Sequence, residues 1–322
     1  MKKAETMRRI AVLIILTVLL SACGAQQSDS RHKVCFVVKS TQTQFWKSAI
    51  AGANAARAEY NVDLTVLGPD TEEDFEAQNE LIARARKEGA EAIVFSAISY
   101  TENAAAIDAA AEAGIKIVVI DSDVDSDRVD VRIGTDNVQA GRMTGMAVLD
   151  TDPEALYVGI VNFALGSRNG QEREQGLREV LESDSRVKEI YTVNVPTSEQ
   201  AARDGALRLI TAHPEINTLV GLNEPLAVGT GMAVAGSGLT GQIRVVGFDT
   251  HVKCVDMMRD GVFSSLIAQN PYAMGYLGVE YAFSLLEGET FDSSGWIDTS
   301  TTIVTQETMF TPEGQKALFS FG

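Results

Sequence analysis

The sequence predicts an α/β protein made of two doubly wound, Rossmann-like lobes. Three observations carry this expectation. Short apolar strands alternate with amphipathic helices at a period of about 25 residues. Most of the strands are near-continuous apolar runs, as in parallel sheets covered by helices on both faces. The same rhythm then starts afresh after Asp136.

Taken in order, residues 34–38 form a short β-branched strand, and the alanine-rich stretch 46–60 has helical spacing. Residues 64–67 are the next strand, closed by Gly68-Pro69, and 72–88 a helix stopped at Gly89. A strand at 92–97, a helix at 102–113 stopped at Gly114, and a strand at 115–120 complete the first set. The second set has helices at 138–149, 171–181 and 199–212 and strands at 156–161 and 190–195. Segments 219–222, 228–235, 245–248 and 252–259 continue the pattern. Two sets of about five βα units are the basis for two lobes.

The N-terminus precedes this pattern and reads differently. Lys2, Lys3, Arg8 and Arg9 lead into an apolar run, residues 10–20, interrupted only by Thr17. A membrane span needs about 20 apolar residues, so the run fits a secretory signal instead. Leu20-Ser21-Ala22-Cys23-Gly24 resembles the bacterial lipobox, which implies cleavage before Cys23 and diacylation of its sulfur. An ordinary signal peptide with an incidental Cys23 is the alternative. Residues 1–22 are thus expected to be a signal peptide and 23–30 a polar tether. A two-chain anchor gives stable attachment to the outer face of the cell membrane. The location is extracytoplasmic.

Without residues 1–22 the chain has 23 basic and 43 acidic residues, a net charge of −20. Such a surface repels nucleic acid and anionic lipid, so no nucleic-acid partner is expected. Cys35 and Cys254 read as small buried hydrophobes rather than a disulfide pair. His32, His213 and His251 make no ligand pattern, and with no HExxH or CxxC the sequence indicates no metal and no cofactor. Nor is an enzyme indicated. There is no GxSxG or P-loop, and Val234 stands where a dinucleotide loop beginning at Gly229-Thr230-Gly231 needs glycine.

In doubly wound sheets ligands bind beyond the carboxyl ends of the strands. Lys39, Ser40, Thr43, Phe45 and Trp46 follow the first strand, and Asp121 and Ser122 the fourth. Asn223, Asp249 and Gln269 end later strands. Each alone has an ordinary alternative: Asx residues cap helices, and aromatic residues fill cores. Together they line one sheet edge.

These residues resemble the type I periplasmic binding proteins, in particular the ribose-binding subgroup. The resemblance runs through Val37-Val38-Lys39-Ser40-Thr41 to Phe45-Trp46, then Ile120-Asp121 and Gly134-Thr135-Asp136-Asn137. It continues in Gln171-Glu172-Arg173-Glu174-Gln175-Gly176, Thr211-Ala212-His213-Pro214, Asn223-Glu224, Val246-Gly247-Phe248-Asp249 and Ile267-Ala268-Gln269. It implies that Phe45 and Trp46 stack on a sugar ring, and that Asp121, Arg173, Asn223, Asp249 and Gln269 bond its hydroxyls. The chemistry is apt: carboxylates accept, arginine donates, amides do both, and aromatic faces cover C–H patches.

The resemblance also implies a three-stranded hinge, crossed near Asp136, Gln269 and residues 299–301. Residues 31–135 with 270–300 would form the first lobe, and 136–269 with 301–322 the second. Departures from the ribose pattern point to another pentose, hexose, polyol or sugar acid. Lys39 replaces serine, Thr43 asparagine, and Ser122 arginine. Lys39 is expected to reach a ligand hydroxyl or carboxylate, with a solvated rim position as the alternative. Lys39 with Ile120-Asp121-Ser122-Asp123 is also similar to the autoinducer-2 binders.

The function implied is that of the monomeric substrate-binding lipoprotein of an ABC importer, with a membrane permease as partner. A sensor that presents its ligand to a membrane receptor is the alternative.

Overall fold

The computed structural model describes residues 31–150, 153–163, 165–292 and 295–319. The signal peptide, the tether and Cys23 lie outside the described residues.

Strands β1 (Lys33–Val37), β2 (Asp63–Leu67), β3 (Ala92–Phe95), β4 (Lys116–Ile120), β5 (Val131–Gly134) and β11 (Trp296–Asp298) make one sheet, ordered β2-β1-β3-β4-β5-β11. Every pairing in it is parallel. Strands β6 (Leu156–Asn162), β7 (Val187–Asn194), β8 (Thr218–Gly221), β9 (Arg244–Phe248), β10 (Phe263–Ala268) and β12 (Thr302–Thr305) make the second, ordered β7-β6-β8-β9-β10-β12. Only β12 in that sheet runs antiparallel. The chain passes between the sheets after β5, after β10 and after β11. Both sheets share the 2-1-3-4-5 order, whose reversal between the first and third strands opens a crevice at the strands' carboxyl ends.

The helices are α1 (Gln44–Tyr60), α2 (Phe75–Lys87), α3 (Ala104–Glu112), α4 (Asn137–Leu149), α5 (Arg168–Leu181), α6 (Glu199–Ala212), α7 (Glu224–Gly236), α8 (Val252–Arg259), α9 (Pro271–Leu286) and α10 (Pro312–Leu318). The first sheet has a core on each face. Phe36, Val94 and Ile120 pack under α1 and α9, while Val37, Phe95 and Ile117 pack under α2 and α3. The second sheet carries one continuous core, which Met309 and Leu318 of the C-terminal segment join. Cys35 and Cys254 are free and buried in separate lobes. Burial pushes the Cys35 thiol up to about 12.

Several helix starts differ from the sequence expectation, two of them at acidic residues. Helix α2 begins at Phe75, because the Asp74 side chain caps it by accepting from Ala77 N. Helix α7 begins at Glu224, because Asn223 accepts from Leu226 N and Pro225 fits the first turn. Both shifts move an acidic residue: Glu72 out of a helix, and Glu224 onto the first turn of one.

Two helix pairs are brought close by glycine. A Cβ on Gly275 of α9 would lie 1.8 Å from the Ala49 carbonyl of α1. One on Gly176 of α5 would lie 1.9 Å from the Val138 carbonyl of α4. In each lobe, the helix arriving from the hinge is thereby seated against the helix that follows the lobe's first strand.

Candidate functional site

The carboxyl ends of both sheets face a shared cavity of about 310 Å³. It is lined by Lys39, Thr43, Phe45, Trp46, Asp121, Arg173, Asn223, Asp249 and Gln269, together with Glu72, Phe163, Asn169, Glu224 and Pro225. The structure therefore brings together nine of the eleven residues singled out from the sequence. Ser40 and Ser122 are the exceptions. Asp121 has a left-handed φ of 57°, and the turn it makes ties Ser122 N back to Ile120 O. The Ser122 hydroxyl is buried without a hydrogen-bond partner and outside the cavity lining.

From the first lobe, α1 presents the aromatic residues. Thr43 caps it by accepting from Trp46 N. The rings of Phe45 and Trp46 meet edge to face, 4.9 Å apart at 83°. Trp46 Nε1 donates to Glu72 Oε1 at 2.8 Å, which fixes the indole. Lys39 is 2% exposed, so it is no rim residue. Its ammonium donates to Ser167 Oγ at 3.1 Å and lies 3.6 Å from Asp121 Oδ2. Asp121 also accepts from Ser96 Oγ at 3.0 Å and from Asn169 Nδ2 at 3.2 Å.

From the second lobe, Arg173 lies over Phe248, its Cζ 4.0 Å from the ring centroid. Its guanidinium donates to Asn137 Oδ1, the Leu222 carbonyl and Gln269 Oε1. Gln269 donates in turn to Asp249 Oδ1 at 2.6 Å and accepts from Thr135 Oγ1 at 2.9 Å. Asp249 leaves β9 with a φ of 69°. Glu224 reaches across the cavity, where its carboxylate accepts from Gln44 N at 2.9 Å and from Phe45 N. The mouth is bridged as well. Tyr100 N donates to the Gly166 carbonyl at 2.9 Å, and Arg168 stacks over the Tyr100 ring at 5.1 Å.

Loss of water dominates the electrostatics. Burial raises Asp249 to about 6, although Arg173 and Gln269 pull the other way. It raises Glu72 to about 7, with Lys39 opposing. Burial and then Asp249 raise Glu224 to about 8. Burial lowers Arg173, while Asp249 and Asp121 support its charge. Among the described residues, no cluster of three or more His, Cys, Asp or Glu side chains could hold a metal.

The sequence reading missed Glu72, Phe163, Asn169 and Pro225, and noted Glu224 only within a motif. Ser167-Arg168-Asn169-Gly170 follows β6 as Lys39 follows β1, so the strand-end rule applied to β6 would have found Asn169. No comparable signal marks Glu72.

This arrangement can hold a small polyhydroxylated molecule. Aromatic faces sit beside acceptors, donors and amides, the mixture that a ring with many hydroxyls requires.

Comparison with known proteins places the chain in a family. Residues 34–290 match the family described as periplasmic binding protein domain. The D-allose-binding periplasmic protein of Escherichia coli is 25% identical, with 76% of this chain and 81% of that protein covered. The D-ribose/D-allose-binding protein of Pseudomonas aeruginosa is 24% identical over 94% of this chain and 99% of its own. Among solved structures, a carbohydrate transporter solute-binding protein from Agrobacterium radiobacter, in complex with D-arabinose, has a TM-score of 0.87 at 26% identity. It covers 91% of this chain and 100% of its own. A sugar transporter from Clostridium phytofermentans has a TM-score of 0.78 at 31% identity, covering 85% and 99%.

Proposed function

Because the chain belongs to the periplasmic binding protein family, we propose that it is the solute-binding component of an ABC importer, capturing a monosaccharide-like ligand between its lobes. The ligand class is a pentose, hexose, polyol or sugar acid. One observation carries the reading: nine residues scattered over more than two hundred positions of sequence line one cavity of about 310 Å³. The relatives bind ribose and allose by name, and the arabinose complex adds a further pentose.

Residues 31–135 with 270–300 act as one lobe, and 136–269 with 301–322 as the other. Hinge closure is the established behaviour of such proteins, and a ligand that touches both lobes favours the closed state by its differential contacts. The protein turns nothing over. Cys23 carries a lipid anchor outside the cytoplasm, and a membrane permease receives the closed, loaded form.

The test is a melting-shift screen of monosaccharides on protein lacking residues 1–23. A ligand at 100 times its Kd adds about 2.7 kcal/mol of stability, without turnover. If no sugar, polyol or sugar acid raises the melting temperature, the reading fails. For the anchor, Cys23→Ser is expected to move the protein from the membrane to the soluble fraction. A variant that stays membrane-bound rules out lipidation at Cys23.

A further inference from the structure

Two cations, Lys39 and Arg173, share the cavity with four carboxyl groups, those of Glu72, Asp121, Glu224 and Asp249. We propose that the cleft sorts ligands by charge: it admits uncharged and amine-bearing monosaccharides and excludes sugar acids and sugar phosphates, with Glu72 setting the exclusion. The inference rests on the sugar-binding reading above and narrows it.

Both cations are already engaged within the protein. The Lys39 ammonium donates to Ser167 Oγ and Asn169 Oδ1 and has Asp121 as its counter-ion at 3.6 Å. Arg173 directs Nε, Nη1 and Nη2 at three protein acceptors and lies 3.9 Å from Asp121 Oδ1. A ligand carboxylate would have to take a donor from one of these acceptors. It would also meet the carboxyl groups of Glu72, Glu224 and Asp249, whereas both cations form their ion pairs with Asp121. Burying a charge without its own partner is costly.

Glu72 is the least buried of the four. It enters from the loop between β2 and α2, is half-buried, and uses Oε1 to hold the Trp46 indole. Its carboxylate therefore stands beside the aromatic face on which a ring would lie. The ion pairs of both cations go to Asp121, not to Glu72. Glu224 is tied down differently, by two backbone N–H groups of α1. An acid-rich cleft can be balanced by protons or by a cation on the guest. The upward push on Glu72 to about 7 and on Glu224 to about 8 is the proton route. An amine on the ligand is the other route.

Calorimetry at neutral pH on protein lacking residues 1–23 tests the proposal with three panels. The uncharged panel is D-ribose, D-allose, D-arabinose and D-galactose. The acid panel is D-galacturonate, D-gluconate and D-ribose 5-phosphate, and D-galactosamine is the amine. The tightest uncharged sugar is expected to bind on the order of a hundredfold more tightly than the tightest acid, and D-galactosamine at least as tightly as D-galactose. Any acid binding as tightly as the best uncharged sugar overturns the charge selection. So does D-galactosamine binding more weakly than D-galactose. In Glu72→Gln the gap between uncharged sugar and acid should shrink by at least about tenfold; an unchanged gap in a folded variant removes Glu72 from the role. Raising the pH is a check that needs no variant, because ionised carboxylates should weaken the acids further relative to the uncharged sugars. A constant ratio counts against the proposal. No binding by any compound is a distinct failure, since it overturns the sugar-binding reading itself.

Discussion

Asp121 follows β4 and Asp249 follows β9, each at the end of the fourth strand of its lobe. Both have a left-handed backbone, with φ of 57° and 69°. Both N–H groups donate to the neighbouring strand, Asp121 to Ile133 O and Asp249 to Ile267 O. Aspartate tolerates this backbone region better than most residues, and the turn aims each carboxyl group into the cleft. The surroundings differ. Asp121 has a lysine counter-ion and two side-chain donors, Ser96 and Asn169. Asp249 has Gln269 and a more distant arginine, and burial lifts it to about 6. Backbone geometry fixes where the carboxyl groups sit, and the two sites give them different partners.

Removing the two acids separates these roles. Asp121→Ala leaves the buried ammonium of Lys39 without its anion and is expected to cost about 3–5 kcal/mol in urea unfolding. Asp249→Ala should cost clearly less, because its charge is disfavoured by burial already. Equal losses would mean that the Lys39 pair contributes nothing special. The glycine-seated helix pairs come next. Gly275→Ala and Gly176→Ala should each cost about 1–3 kcal/mol by thermal unfolding through overpacking. Each should also weaken ligand binding, the first by shifting Phe45 and Trp46 on α1, the second by shifting Arg173 on α5. Wild-type stability in either variant breaks the equivalence of the lobes.

Acidity is the third probe. Asp249, Glu72 and Glu224 all have raised values, to about 6, 7 and 8, against ordinary values of 3.8, 4.5 and 4.5. The folded protein thus holds more protons than the unfolded chain between pH 4 and 8. Stability from these groups is complete below about pH 4 and is lost as the pH rises towards 8. Melting temperature should therefore fall between pH 6 and 8, and less steeply in Glu224→Gln. A flat profile would show that the carboxyl groups are better solvated than their burial implies. The smallest effect compares two helix caps. Thr43 caps its own helix, whereas Ser167, at the same point of α5, turns its hydroxyl to Lys39 and makes no cap bond. Thr43→Ala should lose about 1 kcal/mol of stability. Ser167→Ala should lose less stability, and ligand affinity would carry its effect.

Much of this was legible in the sequence, for identifiable reasons. Apolar strands such as Phe36–Val38 and Val245–Phe248 end in polar residues that have few roles besides capping or binding, so strand ends pointed to the cleft. Glu72 was hidden because Asp70-Thr71-Glu72-Glu73-Asp74 reads as a solvated helix start. Only the Asp74 cap, directly before α2, frees Glu72 to reach Trp46. Strands β5, β11 and β12 have three or four residues each, too few for periodicity to register. Ser122 misled because adjacency to Asp121 in sequence is not adjacency in the cleft once the backbone turns left-handed.

The contact between Thr135 and Gln269 joins two of the three passages linking the sheets. Rotation about a pivot moves atoms in proportion to their distance from it. In a hinge rotation about this contact, Gln269 and its neighbour Arg173 would move little, while Tyr100 and Gly166 would travel further. A visiting molecule would then dock first on the preset floor before the outer lips shut behind it. Recognition and retention would fall to different depths of one crevice.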